Sequence, residues 1–210
     1  MCPGIALRLQ LGLMIIDLPD DRPRLELELA DGSVALLSPL AAGDRLLLVE
    51  GLAELSIESR YKRFGQGVGS LTEAELDYLS NIDLHNHVAW GGAIDGEGAG
   101  VGRYIRLDDR ESAEIAVTVL DRYQRRGLGT LLFRALTAIA RADGITEFLF
   151  EFVPENVPVR RMVGGLEVNL DESGSALIGR VSLEDIPLDE HQEEFVSVMV
   201  EARRRLQAGS

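Results

Sequence analysis

The sequence contains very little cysteine and lysine for a chain of 210 residues. Cys2 is the only cysteine, so an internal disulfide is excluded and nothing in the chain requires an oxidising compartment. Lys62 is the only lysine among the 21 basic residues. The three histidines and one cysteine form no cluster with metal-ligand spacing, so we expect no metal site.

The chain has no excess of positive charge and no long uninterrupted apolar run. Its net charge of -14 argues against nucleic acid as a partner, because phosphate binding requires a basic surface. A cationic substrate is easier to reconcile with this charge. The apolar segment 4–18 is interrupted by Arg8 and Gln10 and is too short to cross a bilayer. We therefore expect a cytoplasmic protein with no membrane partner.

The apolar residues alternate between strand-like and helix-like spacing along the chain. Apolar runs on both sides of Asp31-Gly32 predict a β-hairpin, and the spacing of Thr72 and Glu75 is typical of a helix capping box. The patterns predict strands at 24–30, 34–38, 86–94, 99–107, 112–120, 146–152, 166–170 and 176–183, and helices at 41–55, 71–81, 128–142, 155–163 and 187–207. This order indicates an α/β (α+β) fold, with a mixed sheet and helices on both faces.

A cationic turn with two glycines connects the strand ending near Leu120 to the helix beginning near Gly127. The first amides of a helix have no intrahelical acceptor and lie at the positive end of its dipole, so they attract anions. Glycine at positions 127 and 129 removes Cβ atoms that would hold a phosphate away, and Arg125 and Arg126 add positive charge. The turn favours a pyrophosphate ligand, although turn conformation alone also explains the glycines.

The run Gln124-Arg125-Arg126-Gly127-Leu128-Gly129 resembles the acetyl-CoA pyrophosphate motif of the GNAT superfamily of N-acetyltransferases. Upstream, segments 57–65, 71–76 and 82–92 are similar to the GNAT domain of bacterial protein lysine acetyltransferases. The resemblance covers about residues 25 to 183. It implies a mostly antiparallel central sheet flanked by helices, in which two parallel strands splay apart to form the acetyl-CoA cleft.

The resemblance implies that acetyl-CoA is the co-substrate and lies between strands 112–120 and 146–152. The backbone of residues 117 to 119 would pair with the pantetheine, and the amides of residues 126 to 130 would hold the pyrophosphate. Asn156 matches an asparagine that contacts the cofactor arm, although a plain helix N-cap explains it equally well. The implied cofactor-binding residues are Val117, Thr118, Val119, Gln124, Arg125, Arg126, Gly127, Leu128, Gly129, Thr130 and Asn156.

Glu114 is the candidate catalytic residue. Acyl transfer to an amine requires a base, because a protonated nitrogen has no lone pair for attack. The resemblance implies that the glutamate matching Glu114 is the general base. In a strand rich in Ile and Val this carboxylate is expected to be partly desolvated, which would raise its pKa. A solvent-facing strand residue is the alternative interpretation, and Glu151 is the second candidate for the base.

One position departs from the family pattern. Many members carry a tyrosine that protonates the leaving thiolate, and this chain has Val163 at the matching place. The closing Gly-Phe of the motif is likewise replaced by Glu167-Val168. Two functions therefore remain open. The first is an N-acetyltransferase that modifies a protein lysine or a small-molecule amine by direct attack in a ternary complex, and the second is a degenerate domain that acts as an acyl-CoA-binding sensor.

Other residues have weaker functional interpretations. His85 and His87 have alternating spacing that points both side chains to one side of a strand, in a structural or substrate-lining role. Tyr61, Arg63 and Phe64 line the acceptor entrance or simply pack in a helix. The final helix carries an apolar stripe that covers the core or forms a homodimer contact, with Phe195, Met199, Ala202 and Leu206 as its members. We expect an N-terminal extension at 1–23, a GNAT domain at 24–183 and a C-terminal helix at 184–210.

Overall fold

The computed structural model describes residues 22–59, 72–152, 169–173 and 176–208. Within these ranges eight strands form a single sheet in the order β1-β2-β3-β4-β5-β6-β8-β7. The β5–β6 pair is parallel and every other neighbouring pair is antiparallel. The strands are β1 Leu25–Glu28, β2 Val34–Pro39, β3 His87–Ile94, β4 Glu97–Arg106, β5 Ser112–Val119, β6 Glu147–Phe152, β7 Asn169–Ser173 and β8 Ala176–Ser182. The prediction of a mixed, mostly antiparallel sheet is confirmed.

Four helices accompany the sheet in the described part of the chain, namely α1 Arg45–Glu54, α2 Glu73–Ser80, α3 Leu128–Ala142 and α4 Gln192–Ala208. They lie on both faces, as predicted. Successive strand residues point to opposite faces of a sheet. Trp90 of β3 contacts Phe195 of α4 edge-on at 5.9 Å, whereas the adjacent Gly91 faces Leu40, which precedes α1.

The core lies mainly between the sheet and α3. The predicted apolar positions of α3 are all buried, and they are Leu131, Leu132, Leu136, Ile139 and Ala140. Trp90, Tyr104 and Phe148 are completely buried aromatic side chains of three different strands. The apolar side chains buried between the sheet and α3 fix the position of this helix. The start of α3 is therefore held rigidly against the end of β5.

The capping box predicted at α2 is present. The Thr72 hydroxyl accepts the Glu75 amide at 3.3 Å, and the Glu75 carboxylate accepts the Thr72 amide at 2.7 Å. The last helix begins at Gln192, five residues after the predicted start at 187. Asp189 explains this difference, because its carboxylate accepts the His191 amide at 2.9 Å and its carbonyl accepts the Gln192 amide at 3.2 Å. These bonds turn the chain before the helix.

Helix α4 is fastened to the rest of the fold by an ion pair. The Arg203 guanidinium donates two hydrogen bonds to the Asp143 carboxylate, at 2.9 and 2.5 Å, and a third to the Leu84 carbonyl at 2.7 Å. The Tyr104 hydroxyl also donates to Asp143, at 2.7 Å. Phe195 and Met199 of the predicted apolar stripe are buried, whereas Leu206 is 41% exposed. The first half of this helix covers the core.

Several predicted features lie outside the described residues. These are the N-terminal extension at 1–21, the residues 61–64, the helix 155–163 with Asn156, and Val163. The strand predicted at 166–170 is observed as β7 at Asn169–Ser173, because the antiparallel ladder with β8 continues to the Ser173–Ala176 pair. No helix in the described ranges combines the length and the apolar character needed to cross a membrane.

Candidate active site

The parallel strands β5 and β6 pair only over their first residues. The register runs through three pairs and ends at Glu114 opposite Leu149. Strand β5 nevertheless continues to Val119, and β6 stays paired with β8 as far as Phe152. From residue 115 onward the backbone of β5 has therefore lost β6 as a partner. The predicted splay of the two parallel strands is confirmed.

The direction of the backbone N–H and C=O groups determines which residues of β5 can pair with a ligand in the opening. The Leu120 amide donates to the Ala99 carbonyl at 2.9 Å, and the Thr118 carbonyl lies against Gly100 of β4. Because backbone polar groups alternate in direction along a strand, Val117 and Val119 turn theirs toward the open side. Of the three predicted backbone contacts to the cofactor, these two have the required direction, whereas the Thr118 groups face β4.

The turn after β5 delivers the chain to the start of α3. Gly127 has a φ of 102°, a left-handed conformation that glycine adopts without a Cβ penalty. The Leu131 amide makes the first helical hydrogen bond, to the Gly127 carbonyl at 3.0 Å. The amides of Leu128, Gly129 and Thr130 precede that bond, so they have no acceptor within the helix. The predicted anion-binding amides are thus brought to the open end of β5.

Gly129 has space around it that the protein does not need. A Cβ built there would lie 3.5 Å from Val119 Cγ2 and 3.8 Å from Val117 Cγ1, which are ordinary van der Waals contacts. Packing among the described residues therefore permits alanine at this position and does not explain glycine. Close approach of a ligand phosphate to the helix amides does explain it, so the turn fits a pyrophosphate.

The arginines around the turn do not contribute equally to its charge. Arg126 is half-buried and donates from Nε to the Asp31 carboxylate at 2.5 Å. Arg122 pairs with Glu54, and with Glu97 at 3.5 Å. Arg125 is exposed and forms no ion pair with any described residue. Of the two arginines predicted to add positive charge, Arg126 is therefore compensated by Asp31, whereas Arg125 has no such partner among the described residues.

Asp31, the partner of Arg126, comes from the β1–β2 hairpin. The hydrogen bonds from the Ser33 hydroxyl and amide, followed by the Arg126 guanidinium, lower the pKa of Asp31 to about 2. Asp31 was predicted only as a turn residue. Its contact with Arg126 spans 95 positions, and no local sequence signal reports such a pair.

Gln124 binds the end of β5. Its side-chain amide donates to the Val119 carbonyl at 3.1 Å and to the Ser59 hydroxyl at 3.4 Å. The predicted cofactor residue Gln124 thus fastens the turn to the strand and to the segment after α1. This places its side chain in the framework of the site.

Asp121 lies beside the turn, and the sequence predicted no role for it. Its carboxylate accepts three hydrogen bonds from the segment after α1, which are donated by the Ser56 amide, the Ser56 hydroxyl and the Ser59 hydroxyl. The sequence shows that Asp121 follows a strand and precedes the glycine turn. It does not show the residues that Asp121 contacts, because these lie more than 60 positions away.

Glu114 is the last residue of β5 that pairs with β6, so it lies where the two strands separate. Its side chain is exposed, whereas its neighbours Ala113 and Ile115 are buried on the opposite face of the sheet. The expectation that Glu114 is desolvated is therefore wrong, because strand alternation directs only its apolar neighbours into the core. Glu151 is also exposed and follows Leu149, the partner of Glu114, by two residues on the same face. The role of Glu114 as base stays a prediction.

His85 and His87 do not point to a common side. His85 is exposed, while His87 is 6% exposed and begins β3. The Asp83 carboxylate accepts the amides of both histidines and of Asn86, so residues 83–86 form a turn in which strand alternation has not yet begun. Within the described residues no three His, Cys, Asp or Glu side chains form a metal-binding group.

The protonation of His87 follows from its surroundings. Its Nδ1 lies 3.0 Å from the Asn81 carbonyl, which can only accept, so Nδ1 carries the proton. Nε2 is buried and has no hydrogen-bond partner among the described residues. Burial, followed by the nearby Arg103 guanidinium, lowers the pKa of His87 to about 4. His87 is therefore neutral at physiological pH.

Comparison with known proteins identifies this arrangement. The acetyltransferase (GNAT) family matches residues 52–163, more than half of the chain. The chain therefore belongs to the GNAT acetyltransferase family, whose acyl donor is acetyl-CoA. The resemblance inferred from the sequence is confirmed.

Two curated relatives are bacterial acetyltransferases. Acetyltransferase Pat of Mycolicibacterium smegmatis is 29% identical over 177 residues, which cover 81% of this chain and 52% of that protein. Acetyltransferase PA5475 of Pseudomonas aeruginosa is 32% identical over 123 residues, which cover 57% of this chain and 66% of that protein. The chain thus spans about half of the first relative and about two thirds of the second.

Solved structures show the same fold. The GNAT domain of S. lividans PAT has a TM-score of 0.69 at 24% identity, covering 76% of this chain and 96% of that domain. The yncA protein of Salmonella typhimurium, solved with its cofactor acetyl-CoA, has a TM-score of 0.56 at 15% identity, covering 73% of this chain and 96% of that one. Both similarities support the GNAT fold of the chain.

Proposed function

We propose that this protein transfers the acetyl group of acetyl-CoA to a primary amine by direct attack in a ternary complex. The observation that carries the proposal is the end of β5–β6 pairing at Glu114, beside β5 backbone that β6 no longer pairs and a helix N-terminus. One end of this opening suits a pyrophosphate, and the other end presents an exposed carboxylate. Family membership supplies the acyl donor.

The residues of the chain have separate tasks in this mechanism. The amides of residues 128 to 130 hold the pyrophosphate, and the backbone of Val117 orients the thioester. Glu114 removes the proton from the acceptor ammonium, so that the nitrogen lone pair can attack the thioester carbonyl carbon. A C–N bond forms, the C–S bond breaks, and the thiolate leaves. Since Val163 cannot donate a proton, a water molecule that accepts the second proton of the attacking nitrogen protonates the thiolate.

A protein lysine is the acceptor class that the observations favour. The segments 57–65 and 82–92 resemble those of protein lysine acetyltransferases, and a net charge of -14 attracts a cationic acceptor. A small polyamine or an aminoglycoside also satisfies the charge argument. The sensor function is the second candidate, because Val163 replaces the usual acid.

The decisive experiment measures thiol release from acetyl-CoA in the presence of a panel of amines. The panel contains lysine peptides in basic and acidic contexts, spermidine and an aminoglycoside, with buffer alone as the background. Thiol release above background with a peptide supports the lysine acetyltransferase. Release only with a small amine redirects the acceptor class. Binding of acetyl-CoA by calorimetry without release for any amine supports the sensor and refutes the transferase.

A further inference from the structure

The end of β5 is connected to the segment after α1 through one carboxylate. Asp121 accepts the Ser56 amide at 3.1 Å, the Ser56 hydroxyl at 3.1 Å and the Ser59 hydroxyl at 2.7 Å. The Ser59 amide in turn donates to the Ser56 hydroxyl at 3.1 Å. Four hydrogen bonds therefore hold residues 56–59 in one conformation against the first residue after Leu120.

The same connection continues to the turn between β5 and α3 that is predicted to bind the pyrophosphate, which we call the phosphate turn. The Ser59 hydroxyl, which donates to Asp121, accepts the Gln124 side-chain amide at 3.4 Å. Gln124 also donates to the Val119 carbonyl at 3.1 Å, at the open side of β5. In this series of hydrogen bonds each serine hydroxyl donates one bond and accepts another, so all the bonds can form together. We call Ser56, Ser59, Asp121 and Gln124 the Asp121 latch.

The negative charge of Asp121 is explained by its hydrogen bonds to segment 56–59 and not by cofactor binding. A carboxylate close to an anion-binding turn repels a pyrophosphate, so it does not serve cofactor binding. The neighbouring Arg122 and Arg126 are paired with other carboxylates, and Asp121 forms no ion pair within the described ranges. Among the other described residues, those that donate hydrogen bonds to its carboxylate are Ser56 and Ser59. Its chemistry is therefore directed at that segment.

Segment 56–59 comes shortly before Tyr61, Arg63 and Phe64 in the sequence, for which lining the acceptor entrance and packing in a helix are the two interpretations. The hydrogen bonds of the latch thus join the cofactor turn to the segment of the chain that leads directly to these residues. A displacement of about 1 Å in a substrate-positioning element reduces turnover by as much as about 100-fold. A latch between the two sides is a means of preventing such a displacement.

We infer that Asp121 is a positioning residue that holds segment 56–59 against the phosphate turn and so couples acetyl-CoA binding to the order of the acceptor side. The inference rests on the proposed function for its catalytic consequence. Its structural part, that cofactor binding at the turn orders residues 56–59, is independent of which amine is acetylated.

Hydrogen exchange tests the structural part without turnover. In the wild type, saturating acetyl-CoA should slow amide exchange in peptides that cover residues 56–59. In Asp121→Ala these amides should exchange faster already without ligand, and acetyl-CoA should no longer slow them although it binds. Asp108→Ala, which removes an exposed carboxylate at the opposite end of β5, is the matched control and should behave like the wild type. Unchanged exchange in Asp121→Ala, or a wild type that does not respond to bound acetyl-CoA, would overturn the inference.

Kinetics tests the catalytic part once an acceptor is identified. Asp121→Ala should lower kcat/KM for the acceptor about 10- to 100-fold. The Kd of acetyl-CoA should change no more than about threefold. Asp121→Asn, which keeps an oxygen for the two hydroxyls, should recover part of the loss. In a double-mutant cycle with Ser59→Ala the two losses should not add. Equal losses in cofactor affinity and turnover would place Asp121 in the cofactor site and contradict the latch.

If no amine supports turnover, the proposed function fails while the exchange experiment still decides the latch. If turnover is observed but exchange at residues 56–59 is unaffected by Asp121→Ala, the latch fails and the proposed function stands.

Discussion

Glu114 owes its suitability as a base to its position. It is the last residue of β5 that pairs with β6, so its side chain lies where the two strands begin to separate. Its exposure leaves it accessible to an incoming ammonium group, while Ala113 and Ile115 fix the strand by packing in the core. A rigid strand position is a suitable support for a group that must meet a substrate proton at hydrogen-bond distance.

Replacing Glu114→Gln should separate catalysis from binding. Glutamine preserves shape and most hydrogen bonding but has no basic oxygen, so the Kd of acetyl-CoA should stay within about a few-fold of the wild-type value. The chemical step, measured by rapid mixing at neutral pH, should slow by about 10²- to 10⁴-fold. This loss should decrease at high pH, where more of the acceptor amine is already neutral.

Glu151→Gln is the control for that experiment, since Glu151 lies on the same face of the neighbouring strand. We expect it to keep most of the activity. Turnover of Glu114→Gln at the wild-type rate across the pH range would remove Glu114 from the mechanism, and Glu151 would become the candidate for the base.

His87 should make the stability of the protein depend on pH in a defined window. Because the folded-state pKa of His87 is about 4, the unfolded chain binds more protons between pH 4 and pH 6.5. Stability therefore rises with pH through this window and is lost as the pH falls, by up to about 3 kcal/mol. Urea unfolding of the wild type and of His87→Asn measures this effect. The stability difference between the two proteins should decrease by that amount from pH 6.5 to pH 4, and a constant difference would contradict the assignment.

At the scale of elements, the site depends on how β5, its turn and α3 follow one another. Leu128 is buried above Gly92, where a Cβ would approach Leu128 Cδ1 to 2.7 Å, so the first turn of α3 is held closely against β3. The helix amides consequently have a fixed position relative to the open side of β5. An anion bound there gains from several donors without reorganisation of the protein.

Substitutions at Gly129 should show whether these amides hold the cofactor. Gly129→Glu places a negative charge where the pyrophosphate is expected, so acetyl-CoA affinity measured by calorimetry should fall by about 4 kcal/mol, or roughly a thousandfold. Gly129→Ala is the matched control, because its Cβ makes only ordinary contacts with Val117 and Val119. It should retain the fold and bind within about tenfold of the wild type. Unchanged affinity in Gly129→Glu would rule out the cofactor assignment of the turn.

The elements themselves were largely predictable. The period of α3, the turn residues that separate β3, β4 and β5, and the capping box of Thr72 all depend on residues within a few positions of one another. The start of α4 was misplaced, because the Asp189 turn contains acidic residues that also suit the first turn of a helix. The end of β7 was misplaced, because pairing with β8 continues to Ser173.

At the scale of the whole molecule, charge and composition bear on the substrate. A net charge of -14 with twenty arginines and a single lysine leaves the protein almost without amines of its own that it could acetylate. Arginine keeps its charge and is a poor nucleophile at neutral pH, since its guanidinium does not lose its proton.

Incubation with acetyl-CoA should therefore add at most two acetyl groups to the chain, at Lys62 and at the N-terminal amine. Intact-mass spectrometry measures the number directly, and Lys62→Arg should reduce the maximum to one. More than two added groups on the wild-type chain would contradict chemistry restricted to amines.

The sequence by itself determined the order of the elements, the glycine turn at the start of α3 and the family to which the chain belongs. These features are local, because periodicity, caps and turns are set by neighbouring residues and recur as motifs. It did not determine the exposure of Glu114, the pairing of Arg126 with Asp31 or the contacts of Asp121 with Ser56 and Ser59.

Only the tertiary structure decided those points, and the reason is physical. The partners are 62 to 95 positions apart, and their contact depends on how the hairpin, the segment after α1 and the end of β5 meet around a common core. The sequence around a glycine turn does not reveal whether an arginine is compensated by a carboxylate, as Arg126 is, or lacks such a partner in the described part of the chain, as Arg125 does. Packing brings a carboxylate to one guanidinium and leaves the other in solvent, and this selection determines which charge is available to a ligand.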